Sequence, residues 1–272
     1  MFSALVCVYE KDQPFLLENA LRSIYEQDLS PEQVVLVQDG PISSELKIII
    51  SNFENILKQK KIVYNHYIFP TNVGHGKARS KGIEICIHDI VAICDADDVN
   101  LPNRFSQQFK YLKENLNVSV VGSHIKEFTD GRQISIKKVP TTAEGVLRYC
   151  RFRCPMNQMT VMFRRKDVLS VGGYKDFYHN EDYFLWIRLI KANYQLANIP
   201  EVLVNVNVDP QTFVRRGGYR YFWSELKIQM LLLRYNISNI LLFVVNVIIR
   251  IFIQLLIPSS LRQVMFKKFF RS

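Results

Sequence analysis

The first apolar run of this 272-residue chain is followed by no glycine: from Cys7 to Pro14 the sequence reads CVYEKDQP. A phosphate loop that cradles its ligand on backbone amides needs glycine directly after the first strand, so this absence counts against a sugar nucleotidyltransferase. Cysteine is scarce and odd in number, five in all. Cys7, Cys86 and Cys94 lie inside apolar runs and read as buried free thiols. Cys150 and Cys154 have no His or Cys companions at zinc spacing, which argues against a structural metal there. No internal repeat or low-complexity stretch is present. The opening Met-Phe-Ser-Ala-Leu-Val has no basic leader, apolar core and cleavage site in series, so the expected compartment is the cytoplasm. Acid is nearly missing from residues 219–272, where eight Lys or Arg face one carboxylate, Glu225, and so supply +7 of the net +10. Such a segment suits nucleic acid or an anionic membrane. The residues between those charges are Leu, Ile, Val and Phe, whereas a nucleic-acid groove wants polar and aromatic ones.

What is present is an alternation. Apolar runs at Phe2–Val8, Val34–Val37, Ile62–Phe69 and Ile90–Cys94 read as strands. Between them Pro14–Gln27 and Ser43–Lys58 carry apolar residues at helical spacing, and a third helix follows the loop Pro70–Gly76 and reaches about His88. Strand and helix repeating about every 30 residues is the βαβ pattern of a parallel sheet covered on both faces. Ligands in such sheets bind beyond the carboxyl ends of the strands. Those ends are Tyr9–Asp12, Gln38–Asp39, Thr71–His75 and Asp95–Asp98, which hold most of the notable polar residues of the first hundred. Beyond Pro102 the spacing predicts a helix to about Asn115, a strand Val118–Ile125, and a hairpin of Ile125–Phe128 and Gln133–Val139 turning at Asp130-Gly131. A helix at Thr141–Tyr149, a strand at Thr160–Phe163, a tight turn at Gly172-Gly173, a helix at Asn180–Lys191 and a strand at Val202–Val208 complete this part. Arg215-Arg216-Gly217-Gly218 reads as a basic loop.

The stretch IVAICDADDVNLPNR, residues 90–104, is the most informative. A buried strand runs into three carboxylates, Asp95, Asp97 and Asp98. Three like charges so close repel one another unless something positive sits among them. Asp95 and Asp97, two apart on an extended segment, project to one face. Hard oxygen ligands of this kind suit Mg²⁺ or Mn²⁺ completed by water and phosphate oxygens. An acidic loop is the plainer reading, and Asp98 fits a helix N-cap ahead of Pro102.

The tail has its own pattern. Ile240–Ile257 is eighteen residues, nominally enough for a short span, yet Asn246, Arg250 and Gln254 recur at every fourth position. On a helix they form one polar stripe, and a mid-span arginine costs about 2.5–3.5 kcal/mol. The expectation is a helix lying in a membrane interface with the stripe facing headgroups, followed by a basic, aromatic segment at Leu261–Arg271. The alternative is a helix that packs its apolar side on protein.

Taken together, VLVQDGP at 35–41, NVGHGKARSKG at 72–82, DADDVNLPNR at 95–104 and GGY…NEDYFLWIRL at 172–189 resemble the glycosyltransferase family 2 enzymes. The resemblance covers about 1–210, and the basic-hydrophobic tail is further similar to bacterial amylovoran, O-antigen and exopolysaccharide enzymes that extend lipid-linked saccharides. It implies an α/β GT-A fold: a Rossmann-like, mostly parallel central sheet with helices on both faces and a C-terminal amphipathic helical tail. It implies a division into a catalytic part, 1–218 (nucleotide-sugar half 1–100, acceptor half 101–218), and a membrane-associating tail, 219–272. The activity implied is inverting transfer of a hexose (glucose, galactose or an N-acetylhexosamine) from a UDP-sugar to an undecaprenyl-diphosphate-linked saccharide, with a β-1,3 linkage to GlcNAc as the suggested product. The place implied is the cytoplasmic face of the inner membrane, peripherally, with Mn²⁺ or Mg²⁺ and without nucleic acid. By the same resemblance Asp39 accepts a hydrogen bond from uracil, Arg79 steadies nucleotide or diphosphate, Asp95 contacts ribose or metal, Asp97 ligates the metal and Asp182 is the general base. One departure is visible: Gln38 stands where the family usually has a first acid. Asp39 also fits a turn residue before Gly40, and Glu181 and Asp182 fit a helix-dipole interaction at the start of their helix. A nucleotidyltransferase and a non-catalytic basic membrane or nucleic-acid binder stay as the competing readings.

Overall fold

The computed structural model describes residues 1–129, 131–208 and 217–257. Its first half alternates strictly: β1 (Ser3–Tyr9), α1 (Pro14–Tyr25), β2 (Gln33–Asp39), α2 (Ser44–Gln59), β3 (Val63–Ile68), α3 (His75–Ile85) and β4 (Ile90–Asp95). Pro14 opens α1, where its missing N–H is not needed, and the Ser43 hydroxyl accepts from the Leu46 N–H at 3.3 Å to cap α2. The strand order β3-β2-β1-β4 is parallel throughout. The chain therefore leaves β1 towards one edge and returns to its other side at β4, and a crevice opens where the two directions part. Tyr9 pairs in register with Asp39 and Cys7 with Asp95, so three strand ends share one rim.

The second half adds β5 (Val99–Asn100), α4 (Arg104–Glu114), β6 (Val118–Thr129), β7 (Arg132–Lys137), α5 (Ala143–Cys150), β8 (Met162–Arg164), α6 (Arg165–Ser170), α7 (Glu181–Lys191) and β9 (Gln195–Asn207). The sheet continues as β4-β8-β6-β9-β5, with β7 on β6. It turns mixed here, because β8 runs antiparallel to both neighbours while β6 and β9 are parallel. Two boundaries differ most from the sequence reading. The apolar stretches around Ile125 are one twelve-residue strand, and β9 starts seven residues before Val202. Pro200 in NIPEVL looks like a strand break, but the ladder steps from Ile199 to Val202 across a bulge and goes on. The two-residue β5 and the short α6 are too brief to leave a period in the sequence.

Alternation along β1 sends Ala4, Val6 and Val8 to a core with Leu17, Leu36 and Phe105, and Leu5 to the opposite core with Trp186 and Phe163. Both faces are thus covered, as the apolar runs require.

After the basic loop, whose Arg215 and Arg216 lie outside the described residues, come α8 (Tyr219–Arg234) and α9 (Ile240–Ile251), the latter running into a π-helical turn at Phe252–Leu256. The segment Leu261–Arg271 also lies outside the described residues. Among the described residues no helix is long and apolar enough to cross a membrane. The stripe of Asn246, Arg250 and Gln254 does not face outward as expected; all three are buried. Arg250 Nε donates to Glu225 Oε2 at 2.7 Å and its Nη2 to the Phe152 carbonyl at 2.7 Å, while Asn246 Nδ2 donates to the Arg151 carbonyl at 2.9 Å. Glu225, the lone acid of the segment, supplies the charge that makes burying an arginine tolerable. The apolar side of α9 consequently points away from the protein.

Candidate functional site

The rim formed by β1, β2 and β4 carries the expected acids. Asp39 ends β2, and Gly40 turns the chain there with φ +90°; a Cβ at that position would sit 2.7 Å from the Asn72 nitrogen. That close approach lets Asp39 Oδ1 accept from Val73 N–H at 2.6 Å and Oδ2 from Gly74 N–H at 3.0 Å. Asp39 is thus buried and organises the loop ahead of α3, and each oxygen keeps a second lone pair. Gln38, at the position of the departure, bonds the Gly40 carbonyl at 2.8 Å and belongs to the same turn.

At the end of β4, Asp95 is partly buried, Asp97 is exposed and Asp98 is buried. Asp98 is no helix cap: Asn103 occupies that place before α4, and Asp98 Oδ1 accepts from the Asn207 N–H at 3.0 Å, tying β9 to the motif. Burial, then the charges of Asp97 and Asp95, push its pKa well above the carboxylate range. The repulsion among the three acids is met by two arginines. Arg104 is fully buried and donates to the Ile93 carbonyl at 2.7 Å and to Gln108 Oε1 at 3.0 Å, placing a positive charge under the strand end. Arg79, on α3, is the other.

Arg79 joins the two halves of the site. Its Nη2 contacts Asp95 Oδ1 at 3.0 Å and its Nη1 contacts Glu181 Oε1 at 3.3 Å, with the guanidinium buried. Burial alone would lower its pKa, and the Asp95 and Glu181 carboxylates together outweigh burial and raise it. The start of α7 is thereby held one guanidinium's width from the acids of β4.

Asp182, the next residue after Glu181, opens into a cleft of about 400 Å³. Burial, then the Glu181 charge, raise its pKa to about 6. Asp182 Oδ1 accepts from the Tyr183 N–H at 2.7 Å, and the single Cys154 S–H is shared between the Met156 carbonyl at 3.4 Å and Asp182 Oδ2 at 3.7 Å. Burial and Asp182 push the Cys154 thiol well above its usual pKa, so it stays protonated as a donor. Lys137, from β7, also lines the cleft and draws the Asp182 pKa down. Another wall is α9, through Ile249 and Arg250, with Ile253 from the turn that follows it. A second, smaller cleft of about 340 Å³ adjoins it on the α3 side, lined by His75, Glu181 and Arg220, with His179 common to both. His179 has φ +54°, a strained conformation directly ahead of α7. Arg188 donates to the Gly173 carbonyl at 2.6 Å and so fixes the turn that leads there, while Trp186 packs in the core.

The structure therefore brings Arg79 and Asp95 into contact and sets Asp182 beside them, with Asp39 one strand away. Sequence reasoning gave no role to Arg104, Lys137 or Glu225. Asp12 was seen only as part of a strand end; its Oδ2 accepts from the Tyr9 N–H at 2.8 Å, and burial, with Asp97 and Asp95 adding, raises its pKa to about 7. Among the described residues no three His, Cys, Asp or Glu side chains form a ready metal cage. The donor set is two hard carboxylates on one rim, which fits a divalent cation whose other ligands are water and phosphate oxygens.

The model of glycosyl transferase family 2 matches residues 3–172, and that of glycosyl transferase family group 2 matches 90–269. A UDP-Gal:alpha-D-GlcNAc-diphosphoundecaprenol beta-1,3-galactosyltransferase of Escherichia coli is 36% identical over 272 residues, covering 99% of this chain and 96% of its own. The amylovoran biosynthesis glycosyltransferase AmsE of Erwinia amylovora is 32% identical, covering 98% of each chain. Among solved structures, the mannosyltransferase PcManGT from Pyrobaculum calidifontis, in complex with GDP-Man and Mn²⁺, matches with a TM-score of 0.64 at 16% identity over 86% of this chain and 64% of that one. The fold is GT-A, and the chain belongs to glycosyltransferase family 2.

Proposed function

We propose that this chain is an inverting hexosyltransferase that moves a hexose from a UDP-sugar to a polyprenyl-diphosphate-linked saccharide in O-antigen or exopolysaccharide assembly. The full-length similarity to the Escherichia coli enzyme supports UDP-galactose as donor and a β-1,3 linkage to lipid-linked GlcNAc. The observation that carries the reading is Asp182: a half-buried carboxylate lining a cleft, its pKa raised to about 6, beside the rim of donor acids. A group poised this way is ionised at neutral pH and basic enough to take a hydroxyl proton as that oxygen becomes nucleophilic.

In this reading Asp182 removes the proton of the acceptor hydroxyl while the oxygen attacks the anomeric carbon from the face opposite the departing diphosphate, and the configuration inverts. Cys154 offers its thiol to the Asp182 carboxylate at 3.7 Å. Asp39 accepts a hydrogen bond from the uracil imide N–H with its remaining acceptor capacity. Asp97 and Asp95 would hold Mn²⁺ or Mg²⁺, which supplies charge neutralisation for the leaving diphosphate. Arg79 positions Asp95 and Glu181 and keeps a positive field at the same place. Residues 1–218 form the catalytic part and 219–272 a part that associates with the cytoplasmic face of the membrane, where such an acceptor resides.

The test is a donor screen with purified protein and a synthetic polyprenyl-diphosphate-GlcNAc in vesicles. Transfer from one UDP-hexose, lost in EDTA and restored by Mn²⁺ or Mg²⁺, is expected. No transfer from any UDP-hexose contradicts the donor reading, and full activity in chelator contradicts the metal.

A further inference from the structure

Helix α9 is turned inside out relative to a helix of a water-soluble protein. Its polar stripe is hydrogen-bonded to α8 and to the segment after α5, whereas Ile240, Leu241, Val244, Val245, Ile248 and Phe252 all point outward and are exposed, Leu241 at 70%. An apolar helix face this continuous signals a surface that is covered in use.

Three observations select what covers it. The inner side of the same helix, through Ile249 and Arg250, with Ile253 from the turn that follows it, closes the cleft that contains Asp182. The chain continues past the helix for fifteen residues, 258–272, with four cations (Arg262, Lys267, Lys268, Arg271), three phenylalanines and no acid. Among the described residues no helix is long and apolar enough to cross a bilayer. An apolar strip flanked by cations and aromatics complements the acyl and headgroup layers of an anionic leaflet.

We propose that the outward face of α9 is the membrane-contact surface, and that α9 is a shared wall with lipid on one side and the acceptor cleft on the other. The proposal rests on the lipid-linked acceptor reading and deepens it. The buried Arg250–Glu225 pair fixes which side meets which, at a side-chain exposure of 10% for each partner. A diphosphate-linked saccharide in the leaflet then needs to rise only one helix thickness, roughly 10 Å, to reach Asp182.

The experiment is vesicle flotation of the full chain and of Leu241→Glu/Ile248→Glu, with Ile48→Glu on α2 as a control at a similarly exposed apolar position. None of the three residues lines the cleft. Wild type and the control should float with phosphatidylethanolamine–phosphatidylglycerol vesicles and less with phosphatidylcholine alone. The double variant should bind roughly ten- to a hundred-fold more weakly. It should keep UDP binding and transfer to a short-chain, water-soluble acceptor while losing transfer to the polyprenyl acceptor in vesicles. A second readout is Ile248→Trp, whose fluorescence should shift to the blue on adding anionic vesicles. Undiminished flotation of the double variant, or no shift of the tryptophan, overturns the proposal. So does a wild-type dimer that ignores vesicles and that the double variant converts to monomers, since the face would then cover a second copy. Failure of wild type to transfer sugar to either acceptor, with flotation behaving as described, sinks the enzymatic reading and leaves the surface standing.

Discussion

Replacing Arg250 with methionine tests the joint on which the orientation of α9 depends. Methionine keeps most of the stem volume and removes the guanidinium. The change deletes the 2.7 Å contact to Glu225 Oε2 and the 2.7 Å bond to the Phe152 carbonyl. Among the described residues Glu225 then keeps only the Tyr221 hydroxyl at 3.4 Å while lying about nine-tenths buried. Removing one partner of a buried pair costs about 3–5 kcal/mol, because the other charge is left desolvated. The remaining exposure and the tyrosine argue for the low end, about 3 kcal/mol. Adding Glu225→Met removes the stranded charge, so the double variant should return to within about 1 kcal/mol of wild type. Urea unfolding of the four proteins of the cycle reads the energies, and hydrogen exchange over 240–251 shows whether the loss is local to α9. A single-variant effect below about 0.5 kcal/mol, the value of an exposed pair, would refute the view that this contact holds the helix.

The acid limb of the rate profile should follow Asp182. Its pKa is raised to about 6, the base acts only when ionised, and kcat should therefore fall about tenfold per pH unit below that value. Cys154→Ala removes the thiol donor from the Asp182 anion and should move that limb to higher pH while leaving UDP affinity unchanged; an unmoved limb assigns the thiol to packing. Asp39→Ala should weaken UDP about ten- to a hundred-fold, since a charge-assisted bond contributes roughly 1.5–3 kcal/mol, and it should also loosen the loop that Val73 and Gly74 anchor. Lower thermal stability with unchanged UDP affinity would confine Asp39 to the turn.

The strand ends were legible because buried parallel strands leave unbroken apolar runs, and the polar residues that stop them fall together on one rim of the sheet. That logic located Asp39, Asp95 and Asp97 without any contact being known. It could not pair Arg79 with Glu181, which lies 102 residues away and meets it only once α3 and α7 converge. Arg104 sits inside the acidic motif, yet its burial under β4 depends on how α4 packs. The tail shows the limit most clearly. A four-residue spacing identified the stripe of Asn246, Arg250 and Gln254, but periodicity defines a face and not its neighbour. The neighbour was decided by Glu225, an ordinary-looking acid until α8 and α9 fold together. The early start of β9 went unread for a related reason: Pro200 removes one ladder bond, which a bulge absorbs only within the folded strand.

The central claim is that Asp182 is the base of an inverting sugar transfer, and Asp182→Asn tests it most directly. The amide keeps the shape and the Tyr183 N–H acceptor but cannot take the proton. With purified protein, UDP-galactose and polyprenyl-diphosphate-GlcNAc, the expected result is a loss of roughly 10²–10⁴-fold in kcat with UDP affinity unchanged. Near-normal turnover, or loss of UDP binding in its place, would contradict the assignment.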